Sequence, residues 1–133
     1  MMWQLSLLAL LSAATSPNES VVVNGIAFGP RITLTCKWFT NFENSRFETC
    51  RNQGKDVFPA GEDASISCSK QTCSVMDEKA RRLTHGRKAE APDGTFAVQF
   101  IGRVAAFRHE PHYLGDGTRT VLVEKVLKVR VSK

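Results

Sequence analysis

Thr35-Cys36-Lys37-Trp38-Phe39-Thr40-Asn41-Phe42-Glu43-Asn44-Ser45-Arg46-Phe47-Glu48-Thr49-Cys50 is the stretch from which the fold can be read. Folding it about Glu43 sets Cys36 opposite Cys50, Lys37 opposite Thr49, Trp38 opposite Glu48 and Phe39 opposite Phe47. Side chains directly opposite one another in an antiparallel pair lie about 4.5–5.5 Å apart at Cβ, close to what a disulfide requires. Both arms carry Thr, Phe and Trp, which suit strands, and the tip Asn41-Phe42-Glu43-Asn44-Ser45 supplies turn-prone Asn and Ser. The stretch reads as a β-hairpin stapled by its own cysteines. Closing a loop of roughly 15 residues adds about 3 kcal/mol in the chain-entropy picture. A Phe39–Phe47 cross-strand pair adds about 0.5–1 kcal/mol.

The remaining cysteines are Cys68 and Cys73; four cysteines allow three pairings, of which the local one, Cys36–Cys50 with Cys68–Cys73, is expected. A zinc site would need two close cysteine pairs; Cys36 and Cys50 are too far apart for that. Trp3 to Ala14 is an apolar run ending in small residues and followed by Thr15-Ser16-Pro17. It is too short to span a bilayer, which takes about 20 residues, and has the shape of a secretory signal peptide with cleavage after Ala14. No Lys or Arg precedes the run, which departs from the usual pattern; an uncleaved anchor and a buried N-terminal segment are the rival readings. Residues 1–14 are thus read as a signal and 15–133 as a single exported β-rich domain with no transmembrane segment. Leader and disulfides together point to a secreted or periplasmic protein in an oxidising compartment.

Further strands are expected at Ser20–Phe28, bent at Gly25, at Ile32–Thr40 and at Arg46–Arg51. Asn52 to Asp56 reads as a loop, Val57–Gly61 as a short edge segment limited by Pro59, and Ser65–Cys68 as a short strand. Ser74 is the expected N-cap of a helix, with Asp77 and Glu78 in its first turn and Gly86 closing it. Val75, Met76, Ala80 and Leu83 form its apolar stripe. Phe96, Val98, Phe100, Gly102, Val104 and Ala106 line one face of a long strand that bends at Gly102. Val121, Val123, Leu127, Val129 and Val131 line the last strand, with Lys125 as a polar intruder. The order β-β-β-α-β-β is that of an OB-like small β-barrel. The alternative is an open antiparallel sheet or sandwich with one helix. An immunoglobulin-like sandwich is disfavoured, because its disulfide bridges two sheets and these cysteines are local.

The chain carries a formal charge of +5 and a pI near 9.3. Its basic residues cluster at 79–88 and again at Arg119, Lys125, Lys128, Arg130 and Lys133. Such surfaces attract nucleic acid, anionic lipid or acidic polysaccharide, and otherwise serve as a solvated face. Trp38, Phe39, Phe42 and Phe47 lie among Lys37, Arg46 and Arg51, a mixture that suits stacking of bases or sugars. Phe42, at the hairpin tip, is the residue hardest to bury. His109 and His112 flank Glu110 and Pro111; they are chemically adequate for acid–base work, but the intervening proline removes the helical spacing that a shared metal would need. Gly115-Asp116-Gly117-Thr118 is a turn that lacks the carboxylates of a calcium loop. Asn18-Glu19-Ser20 is a glycosylation sequon whose use depends on the host.

The expectation is a small, basic, exported binding or structural domain, not an enzyme, without cofactor or metal. Its expected partner is a protein or an acidic extracellular or envelope polymer. Polyanion or nucleic-acid binding through an OB-type basic face follows next, with Trp38, Phe42, Arg119, Lys125, Lys128 and Arg130 as contacts. A small hydrolase using His109 and His112 ranks last.

Overall fold

The computed structural model describes residues 19–84, 92–110 and 117–132. The expected leader at 1–14, the helix end at Gly86, and His112 lie outside the described residues. The chain runs β1 (Val21–Val23), β2 (Ile26–Phe28), β3 (Ile32–Thr40), β4 (Ser45–Asn52), β5 (Lys55–Asp56), β6 (Ala64–Cys68), α1 (Lys70–Leu83), β7 (Gly94–Val104) and β8 (Arg119–Val131). It is mainly β with one described helix, as the sequence predicts. Strands β1 and β2 form a two-stranded ribbon. The other six form one sheet in the order β3-β7-β8-β6-β4-β5, with β3 also paired to β4. All pairings are antiparallel except β6 with β8. The open-sheet alternative accommodates this arrangement.

Cys36 does face Cys50, with their Cα atoms 4.0 Å apart, and both are buried. Beyond Lys37 and Thr49 the predicted register fails. Glu48 is bulged out, so Trp38 pairs with Phe47 and Phe39 with Arg46. A one-residue slip exchanges the faces of a strand. Phe47 therefore turns inward and stacks on Phe100 with centroids 5.4 Å apart, while Arg46 lies 4.5 Å over the Phe39 ring. The predicted Phe39–Phe47 pair does not form.

The expected bent strand at Ser20–Phe28 is instead the β1–β2 hairpin. Asn24 and Gly25 have φ of 51° and 80°, the left-handed pair that a two-residue type I′ turn demands. Gln53 and Gly54 repeat the device, with φ of 51° and 78°, and turn the expected loop into the β4–β5 hairpin. No strand forms at Val57–Gly61.

Helix α1 starts earlier than its sequence cue. Ser69, not Ser74, is the N-cap; its Oγ accepts from the Thr72 amide at 3.1 Å. The second disulfide spans this junction, joining Cys68 at the end of β6 to Cys73 in the first turn (Cα–Cα 5.6 Å). Asp77 and Glu78 consequently sit mid-helix. Met76 and Ala80 face the core, whereas Val75 and Leu83 remain exposed.

The core holds Leu34, Trp38, Phe47, Phe96, Val98, Phe100, Val121 and Val123 around the buried Cys36–Cys50 bridge. Two bulges shift the phase of β8: Phe100 pairs with Val126 and Gly102 with Val123, leaving Leu127 and Glu124 as the extra residues. Val126 packs on the core, Leu127 is exposed, and Lys125 turns outward beside Ile101. Lys125 is therefore no intruder on the apolar face. Gly102 is obligatory at this crossing, because a Cβ there would collide with the Leu122 carbonyl and the Phe100 ring. A second small cluster, Phe28, Ala105 and Leu122, seats the β1–β2 hairpin over one end of the outer face.

Candidate functional site

The outer face of β3, β7 and β8 stays open beyond that hairpin. Strand alternation sends Thr33, Thr35 and Lys37 outward from β3, opposite the buried Leu34, Cys36 and Trp38. The ladder aligns these residues into rows across the sheet. Lys128, Gln99, Thr35 and Arg51 form one row, and Arg130, Ala97, Lys37 and Thr49 the next. Lys125, Ile101 and Thr33 form a third. The floor is thus small, hydroxylated and amide-bearing, with cations at both rims.

Two concavities indent this face. One, of about 740 Å³, is lined by Thr33, Thr35, Arg51, Asn52, Gln99 and Ile101 among others. The other, of about 210 Å³, is lined by Thr35, Ala97, Gln99, Lys128 and Arg130. They share Thr35 and Gln99 and so form one shallow groove across the strands.

The cations differ in how far they are neutralised. Arg51 Nε lies 3.1 Å from Asp56 Oδ1, and Lys37 Nζ 3.7 Å from Glu48. Arg46 contacts both Glu48 (3.7 Å) and Asp63 (2.9 Å), the latter at an angle that makes an ion pair and not a hydrogen bond. Lys125, Lys128 and Arg130 are exposed, and among the described residues none of them has a carboxylate within ion-pair distance.

The chain matches no family model, no curated protein and no solved structure. Its chemistry must therefore be read from its own residues.

Three of the predicted contacts, Lys125, Lys128 and Arg130, come together on this face. Arg119 does not join them: it is partly buried at the start of β8, where it shares Glu62 (3.7 Å) with Arg108 (3.2 Å). Trp38 is 1% exposed and donates from Nε1 to Ser45 Oγ at 2.8 Å, so it offers no stacking surface. The aromatic and basic group suggested by the sequence is divided by the sheet, with Trp38 and Phe47 inside and Lys37 and Arg51 outside. Phe42 is 83% exposed. Its turn is held by Asn41, whose Oδ1 accepts from the amides of Glu43 and Asn44 at 2.9 and 2.7 Å.

His109 lies at a separate cleft between the β1–β2 turn and β6. Its Nε2 is 2.7 Å from Thr120 Oγ1 and its Nδ1 3.0 Å from the Glu110 carbonyl oxygen. A third, smaller cleft, of about 290 Å³, lies between the hairpin tip and α1 and is lined in part by Trp38, Ser45, Met76 and Asp77. Burial there raises the Asp77 carboxyl above its ordinary value, and nearby Arg81 partly offsets the rise.

The sequence reading missed Thr35 and Gln99 as parts of the site and had Arg51 only as a neighbour of the hairpin aromatics. No local signal shows that the three share a row. Arg103 was expected on the outward side of its strand, alternating with the apolar face, and as a companion of the His109 and His112 pair. It is 3% exposed, on a strand position that otherwise faces solvent.

Proposed function

We propose that this protein is an exported OB-type binding domain that holds an acidic polymer on the outer face of β3, β7 and β8. The barrel reading is supported by the cycle of pairings, β3-β4-β6-β8-β7 and back to β3. The parallel β6–β8 contact and the helix between β6 and β7 support it too. Export is supported by the apolar leader at residues 1–14 and by the two disulfides, which fit an oxidising compartment. No described helix is long and apolar enough to cross a membrane.

One observation carries the binding assignment. Lys37, Arg46, Arg51, Arg103 and Arg119 each lie against a carboxylate, whereas Lys125, Lys128 and Arg130 have none within ion-pair distance among the described residues, and the last two line the polar groove. In OB folds the second and third barrel strands commonly carry the ligand. Here those strands are β4 and β6, where Arg46 is already engaged by Glu48 and Asp63. The unpaired cations that line the groove, Lys128 and Arg130, lie on β8 instead. Cations, hydroxyls and a carboxamide suit holding a ligand, not transforming it, so the reading is of a binder and not an enzyme.

Chromatography on immobilised heparin tests this. The wild type should be retained at low ionic strength and released as salt rises, because binding releases counterions. The variant with Lys125→Ala, Lys128→Ala and Arg130→Ala should elute earlier than a control with Arg108→Ala and Arg82→Ala. Passage of the wild type straight through a low-salt column refutes the proposal.

A further inference from the structure

The outer face distinguishes between classes of acidic polymer. Single-stranded nucleic acid is held largely by bases stacking on aromatic side chains, at about 1–3 kcal/mol per base. Among the described residues, no aromatic lines either concavity of the groove. The two most exposed aromatics among the described residues lie elsewhere: Phe42 on the β3–β4 turn and Phe107 beside the His109 cleft. The floor instead offers the Thr35 hydroxyl and the Gln99 carboxamide, which can donate to and accept from sugar hydroxyls.

The positive track also continues past the sheet. Lys125 lies beside Ile101 on the outer face and at the same time lines a neighbouring groove of about 600 Å³ against the start of α1. Lys70 lines that groove; it is exposed and has no carboxylate partner among the described residues. Glu124, the acid that also lines it, is occupied by Arg31 (2.9 Å) and Arg103 (3.3 Å). Lys125 and Arg130 pair with Ile101 and Ala97, a separation of about 13 Å along the ladder at the usual strand rise of about 3.3 Å per residue. The cations therefore form a line and not a cluster, as an extended chain requires.

We propose that the occupant is an acidic polysaccharide lying along β8, from Arg130 past Lys128 and Lys125 to Lys70. This rests on the polyanion reading above. Its carboxylates or sulfates meet the four cations, and its ring hydroxyls meet Thr35 and Gln99.

Calorimetric titration of the full chain at one fixed salt concentration tests it, with a heparin octasaccharide and an oligothymidylate of matched charge as probes. The octasaccharide should bind about tenfold more tightly than the oligothymidylate. Lys70→Ala and Arg130→Ala should each weaken octasaccharide binding by about two- to fivefold, the range of single exposed charge contacts. Gln99→Ala should weaken the octasaccharide and leave the oligothymidylate unchanged. Equal or tighter binding of the oligothymidylate overturns the polysaccharide assignment while leaving the polyanion reading intact. An unchanged affinity in Lys70→Ala overturns the path along β8. Failure of both probes to bind removes the polyanion reading as well. All substituted side chains are exposed, and thermal melts establish that each variant is folded.

Discussion

Replacing Arg103 by Met should loosen the N-terminal hairpin from the sheet and destabilise the whole domain. Arg103 is buried on β7, and three acceptors hold its guanidinium. Nη1 donates to the Glu19 carbonyl at 2.6 Å and to the Gly29 carbonyl at 3.2 Å, and Nε to Glu124 Oε1 at 3.3 Å. The two carbonyls flank the β1–β2 hairpin, and Glu124 is one of the two bulged residues of β8. One side chain therefore ties three parts of the chain together. Met keeps most of the volume and removes every donor. Removing one member of a buried ion pair costs about 3–5 kcal/mol, chiefly because the partner is left uncompensated. Glu124 keeps Arg31 at 2.9 Å and is itself 28% exposed, which places the expected loss at the low end, about 3 kcal/mol. That corresponds to a fall in Tm of about 10 °C or more for a domain of this size. Arg31→Met makes the contrast: Arg31 is 47% exposed, so its loss should cost less than about 1 kcal/mol. Urea denaturation of the disulfide-intact protein measures both variants, and hydrogen exchange at the amides of Val21–Phe28 reports hairpin release. Wild-type stability and wild-type protection in Arg103→Met would refute the idea that this guanidinium anchors the hairpin.

Asp77→Asn should stabilise the protein at pH 7 and have little effect near pH 3. The folded carboxyl titrates above its ordinary value of 3.8. Above pH 3.8 the folded state therefore binds more protons than the unfolded state, and stability from this group falls as pH rises through the folded pKa. A stability difference that is the same at both pH values contradicts that assignment. Trp38→Ala should cost about 3–5 kcal/mol as a core truncation, whereas Phe42→Ala should change the unfolding free energy by less than about 0.5 kcal/mol; similar losses in the two would mean that the tip is packed. Gly102→Ala should lower stability through the approach of Leu122 to the β7 backbone, by about 1–3 kcal/mol as overpacking does; a neutral melt would show that β7 and β8 can separate there at no cost.

Parts of the candidate site were legible one residue at a time. Lys125, Lys128 and Arg130 stood out as a basic run, but their proximity to Thr35 and Arg51 depends on pairings between strands far apart in sequence. Arg119 belonged to the same run and lies elsewhere, since charge clustering along a chain carries no information about which end of a strand a side chain occupies. Trp38 looked like a contact residue because aromatic and basic residues alternate there. Alternation along a strand is itself what sends the two kinds to opposite faces.

What the chain determines locally is the stapled hairpin, both disulfides and most strand positions. Each depends on interactions within a few residues: a loop that closes Cys36 on Cys50, a short span between Cys68 and Cys73, and period-2 burial of Leu34, Cys36 and Trp38. Tertiary structure decided the rest. The bulge at Glu48 exchanged the predicted partners of Phe39 and Phe47, and the bulges at Glu124 and Leu127 brought Val126 inward and turned Lys125 out. A bulge costs nothing visible in sequence; it is selected by the strand alongside, here β7 with its Gly102 crossing. The same non-local pairing brought Arg103 under the N-terminal hairpin and aligned Lys128, Gln99, Thr35 and Arg51 into a row. The staple could be read from the order of residues, and the face only from the ladder that joins β8 to β3 through β7.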